Sequence, residues 1–156
     1  ANRYKISVGK LLFRGMSPLF IMELNNLSSS ALDNKAKPMQ ITESDRVVIR
    51  SVIESQLQAF QEDDAVSAFA FASPGIQETF QTPEKFLEMV KNYYPAVYRP
   101  QSVLFDDFAI VNGALAQPVL LLGPDELPVR ALYLMEKQPD NTWKIHGCHL
   151  VPIEIN

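Results

Sequence analysis

Residues Ala59–Pro100 read AFQEDDAVSAFAFASPGIQETFQTPEKFLEMVKNYYPAVYRP, and this stretch decides the fold. It loads Phe60, Phe69, Phe71, Phe80, Phe86, Met89 and Val90 onto short segments of helical spacing. Between them stand Asp63-Asp64, Ser73-Pro74-Gly75 and Thr82-Pro83-Glu84, which are helix starts and breaks. Asp63 or Asp64 caps a helix through Ala65–Ala72. Ile76–Phe80 makes one further turn. Thr82 caps a third helix with proline in its first turn, running to about Tyr93, where Pro95 stops it.

Upstream, Thr42-Glu-Ser-Asp45 has the form of a capping box. Ile49, Val52, Ile53, Leu57 and Phe60 then recur at helical spacing, which predicts a helix ending near Gln61. After Pro100 the period changes to two. Strands are expected at Ser102–Val111, Ala114–Leu122, Val129–Lys137 and Asn141–Ile153. Asn112-Gly113 joins the first pair as a type I′ hairpin. Helices followed by a meander make an α+β domain, with three helices on one face of a curved antiparallel sheet of about four strands.

This order of elements resembles the nuclear transport factor 2-like superfamily, a cone-shaped α+β fold. The quoted stretch also resembles a bacterial and cyanobacterial family of unknown function. The residues that carry this likeness are Ala59-Phe60, Asp63-Asp64, Ala70 to Pro74, Phe86, Met89-Val90 and Tyr98-Arg99-Pro100. It extends more weakly to Trp143–Cys148 and covers about residues 46–153. The resemblance implies a fold, brings no functional residues with it, and suggests that sheets can pair into homodimers.

Composition narrows the function. A chain of 156 residues, 47% hydrophobic and 21% charged, suits one domain with an appendage: an arm over residues 1–41 and a domain over 42–156. A net charge of −4 argues against a nucleic-acid partner. One cysteine excludes an intramolecular disulfide. Up to Met22 there are four bases and no acid, leaving ten bases against eighteen acids in the remainder. Leu11–Leu24 is apolar but broken by Arg14, Pro18 and Glu23, too short for a transmembrane span and poor as a secretory signal. Asn25–Pro38 reads as a linker.

Candidate sites are sparse. His146, Cys148 and His149 resemble a metal cluster, but strict strand alternation separates His149 from the other two, and two ligands do not hold zinc. Alternation places His149 beside Trp143, Ile145, Val151 and Ile153 on the helix-facing side. There it becomes a candidate general base, with Asp106 or Asp107 as its acid and Tyr93, Tyr94 or Tyr98 offering a hydroxyl. A core histidine bonded to backbone or water is the favoured account. Asp63-Asp64 reads as a cap, Ser73-Pro74 as a turn, and Arg99 and Arg130 as solvated or paired cations. With 6 glycines there is no phosphate-cradling loop, so no cofactor is expected.

Two functions follow. In the first, the protein is a non-enzymatic interaction module, an accessory subunit docked to a protein partner through Leu11, Leu12, Phe13, Leu19, Phe20, Ile21 and Met22. The start at Ala1 and the acid-free leader suit a processed chain. The cyanobacterial likeness suggests a photosynthetic complex, peripheral to the thylakoid membrane of a plastid. In the second, the cone holds a cavity of a few hundred Å3 around His149 for a small ligand or for acid–base chemistry.

Overall fold

The computed structural model describes residues 41–153. Five helices come first: α1 (Glu43–Gln61), α2 (Ala65–Ala70), α3 (Pro74–Phe80), α4 (Pro83–Tyr93) and α5 (Pro95–Tyr98). Five strands follow: β1 (Ser102–Phe105), β2 (Ala109–Val111), β3 (Ala114–Leu122), β4 (Pro128–Lys137) and β5 (Trp143–Pro152). They form one open antiparallel sheet of order β1-β3-β4-β5, with β2 also paired to β3.

The starts of α1, α2 and α4 are those the sequence dictates, whereas α3 and α5 are additional to the three helices expected: Ser73-Pro74-Gly75, read as a turn and break, opens α3 instead. The Thr42 hydroxyl accepts from the Asp45 amide at 3.0 Å, and Asp45 Oδ2 accepts from the Thr42 amide at 3.1 Å, closing the capping box. Asp64, Ser73 and Thr82 cap α2, α3 and α4 in turn. Asp63 does different work. Its φ of 54° reverses the chain, and its carboxylate accepts from the Tyr98 hydroxyl and, at 3.3 Å, from Arg99 Nη2. Arg99 Nη1 also donates to the Phe60 carbonyl at 2.6 Å. Residues 35 apart in sequence thus tie the end of α1 to α5. Pro95 ends α4, as expected, and also opens the one-turn α5, because a fixed φ suits the first helical position.

Two differences from expectation have local causes. Ser102–Val111 is two strands, not one. Asp106 donates to the Pro118 carbonyl at 3.0 Å, but Pro118 has no N–H to return the bond. The Asp106 carbonyl takes its bond from Gln117 Nε2 instead, at 2.7 Å, and pairing resumes at Ala109. The Asn112-Gly113 turn then has the two positive φ angles, 51° and 80°, of a type I′ hairpin.

The second difference lies in β5. Leu134 pairs with Gly147 but Met135 pairs with Ile145, so His146 is an extra, bulged residue. Strand alternation reverses there. Trp143 and Ile145 before the bulge, and Cys148 and Leu150 after it, all face the helices. Gly147 and His149 face away. The segment Phe71–Ser73 holds the bulge from the side: Ile145 donates to the Phe71 carbonyl, and Ser73 to the Ile145 carbonyl, each at 2.9 Å.

The core lies between the helices and this face. Ile49, Ile53 and Phe60 of α1 belong to one buried cluster with Val119, Leu121, Ala131 and Tyr133 of the sheet. Phe86 sits at the centre of an aromatic group, with Phe60, Phe69 and Phe80 at centroid distances of 5.9, 5.6 and 5.6 Å. Buried Gln56 links α1 to α2 by donating to the Ala68 carbonyl at 3.0 Å.

The Gln117 bond gives a direct test. Gln117→Leu keeps the volume but removes the donor to Asp106, at a cost of about 1 kcal/mol. A urea melt of the variant should show a lower midpoint, with hydrogen exchange accelerated in β1 and β2. An unchanged midpoint would refute the account of the strand break.

Candidate functional site

Among the described residues, four places bear on the expected chemistry. The first is the interior cavity beneath α1, α4 and α5, walled by Gln56, Phe60, Tyr94, Tyr133, Ile145 and Cys148 among others. Its volume is about 20 Å3, enough for a water or two and far short of the few hundred Å3 that the ligand-binding expectation required. Phe60 and Phe86 of the aromatic group stand in its wall. Burial pushes the Cys148 thiol up to about 12, so it stays protonated and is neither a nucleophile nor a ready metal ligand at neutral pH. Burial likewise raises the Tyr94 and Tyr133 hydroxyls.

The second is the expected acid–base pair. The bulge puts His149 on the sheet face opposite the cavity, a correction to strict alternation. His149 is 5% exposed and in register with Leu132, which in turn pairs with Pro118. Asp107 is exposed in the break between β1 and β2, its amide donating to the Asp106 carboxylate at 2.9 Å. Asp106 is beside Pro118, so His149 and the acids are three strand spacings apart, about 14 Å. The structure does not bring them together. Tyr94 lines the cavity, Tyr98 binds Asp63 and Tyr93 is exposed, so none of them serves His149.

The third place was not legible in the sequence. At the bulge, His146 Nδ1 lies 2.5 Å from Ser73 Oγ and 3.2 Å from Glu136 Oε2. The composition suggests a catalytic triad, but the geometry does not. In a triad, serine and acid engage different imidazole nitrogens; here both approach Nδ1. Ser73 is fully buried and its hydroxyl also caps α3, accepting from Ile76 at 3.3 Å. Lys144 Nζ donates to the Ala70 carbonyl at 2.9 Å beside it. The cluster fastens β5 to the α2–α3 junction. Ser73-Pro74 reads in the sequence only as a turn, which does not reveal a histidine 73 residues away. Among the described residues no group of three or more His, Cys, Asp or Glu is placed to hold a metal ion.

The fourth place is the sheet face turned away from the helices. Antiparallel sheets with one solvated face alternate apolar and polar residues. This one does not. Ala116, Leu120 and Leu122 of β3, Leu132 and Leu134 of β4 and Val151 of β5 all point there. Ala116, Leu132 and Leu134 are 0%, 2% and 4% exposed, and none belongs to the helix-side core. Leu104 of β1 continues the surface and is 61% exposed. The sequence-based partner residues Leu11, Leu12, Phe13, Leu19, Phe20, Ile21 and Met22 lie outside the described residues.

The family model described as Domain of unknown function (DUF4864) matches residues 42–155. The chain belongs to that family. The family spans the whole α+β domain, from the capping box at Thr42 past the end of β5. No curated protein and no solved structure matches the chain. Nothing in these comparisons supports assignment to the nuclear transport factor 2-like superfamily. No described helix is long and apolar enough to cross a membrane.

Acid should destabilise the domain in two stages. Burial holds His149 down to about 4, below its ordinary 6.5. A depressed folded-state value means stability that is full above pH 6.5 and is lost as pH falls towards 4. Asp45, Asp63, Asp64 and Asp140 are held below the usual carboxylate range, chiefly by hydrogen bonds from Thr42, Tyr98, Ser67 and Thr142. Their contribution is lost at still lower pH. Melting temperatures of the protein and of His149→Gln, followed from pH 8 to 2.5, should differ in slope only between pH 6.5 and 4. Parallel curves in that window would contradict the burial of His149.

Proposed function

We propose that this protein is a non-enzymatic interaction module, an accessory subunit that engages a protein partner through the sheet face opposite its helices and through the apolar run Leu11–Met22. The apolar second face of the sheet carries this reading. A sheet that buries one face on its own helices has no need, for folding, of leucines across the other. Leu104 at the edge of this face is 61% exposed and Leu120 beside it half-buried, and apolar surface left open next to an apolar face is where a partner would make contact. The remaining candidates point the same way. The cavity takes a water or two, the thiol is held protonated, His149 on β5 is far from Asp107 in the break between β1 and β2, and the Ser73–His146–Glu136 cluster is built as a fastener. A photosynthetic membrane as the site of assembly is not required by this reading.

A photo-crosslinking residue placed singly at Leu104, Leu120 or Val66 tests the proposal in the source cell. Leu104 and Leu120 belong to the apolar sheet face; Val66 is 66% exposed on α2. The first two positions should yield a discrete protein adduct and Val66 none. Equal adducts at all three, or none at Leu104 and Leu120, would sink the proposal.

A further inference from the structure

The Tyr133 hydroxyl is sealed in the core, with no nitrogen or oxygen partner among the described residues. A buried hydroxyl in that position is costly, and native cores seldom keep one without a reason. Cys148 stands directly opposite on β5, and its thiol is near enough to act on the phenol. A thiol is a weak hydrogen-bonding partner and does not satisfy a hydroxyl. Tyr133 and Cys148 both line the interior cavity of about 20 Å3. Two further polar side chains reach it from the helical layer. Tyr94 comes from the junction of α4 and α5. Burial first, and the Cys148 thiol second, raise both phenols, so both keep their protons. Gln56 comes from α1. Its Nε2 is committed to the Ala68 carbonyl at 3.0 Å, which fixes the amide and leaves Oε1 as an acceptor. The rest of the wall is apolar.

We propose that this cavity is a binding site for one resident water, which accepts from the Tyr133 hydroxyl and donates to Gln56 Oε1 and to the Tyr94 oxygen. A buried water needs about 10–15 Å3 of room and two to four polar partners, whereas cavities that stay dry are apolar throughout. This one has the room and the partners. Gln56 and Tyr133 share no direct hydrogen bond, so the water is what connects them. Gln56 then has two tasks: its nitrogen ties α1 to α2, and its oxygen, through the water, ties α1 to β4. The site is independent of the interaction reading above.

Two measurements on the full chain test it. A high-resolution crystal structure should show an ordered water within about 3.2 Å of both Tyr133 Oη and Gln56 Oε1. A cavity without such density, or a water that reaches only one of the two, overturns the site. The second measurement is a cycle of urea melts followed by Trp143 emission. Tyr133→Phe and Gln56→Leu should each raise the unfolding equilibrium constant, by roughly tenfold. The double variant should fall well short of the product of the two, because both changes release the same water. Effects that multiply in full would mean that the two side chains act separately, and the bridge would be lost. If Gln56→Leu fails to fold, the ordered water in the unaltered protein decides the matter alone.

Discussion

The extra residue at His146 is the constraint on which the architecture turns. Without it, Cys148 and Leu150 would point away from the helices and His149 would enter the core. With it, each half of β5 presents apolar residues to the helices, Trp143 and Ile145 before the bulge, Cys148 and Leu150 after it. Such a kink needs support from outside the ladder, because the bulged residue has no cross-strand mate. Phe71, Ser73 and Glu136 supply it. The α2–α3 junction thereby serves as a splint for the last strand, and helical layer and sheet become mutually dependent.

That dependence explains which parts of the structure were legible beforehand. Thr42, Asp64 and Thr82 act within three residues of themselves, so the starts of α1, α2 and α4 could be read directly, while Ser73, read as part of a turn, caps α3. Asn112-Gly113 is equally local. The break at Asp106–Phe108 was not legible in its own residues, because its cause is Pro118 on the neighbouring strand. The bulge was hidden for the same reason. Nothing in Lys144–Cys148 announces that Leu134 and Met135 will skip a residue between them. One unread bulge was enough to reverse the face assigned to His149 and Cys148, and with it the expected acid–base site.

The site question turned on the same distinction between residue types and their placement. Serine, histidine and glutamate meet at the bulge, yet they share one ring nitrogen and the serine is sealed from solvent. Cysteine, tyrosine and glutamine meet in the cavity, yet burial keeps the thiol and the phenols protonated. Chemistry-bearing groups in this domain are used to fix geometry. What remains distinctive is the apolar sheet face, on which the proposed interaction reading rests.

The interrupted strand beside Pro118 has a bearing on solubility. β1 and β2 form the outermost rung of the sheet on that side, and a long regular rung would invite pairing with a foreign strand. Four residues, a break carrying Asp106 and Asp107, and then three residues offer no such template. A molecule that carries leucines across one sheet face runs a risk of fibril-like stacking, and the proline on the adjacent strand limits that risk by cutting the exposed border into pieces too short to propagate.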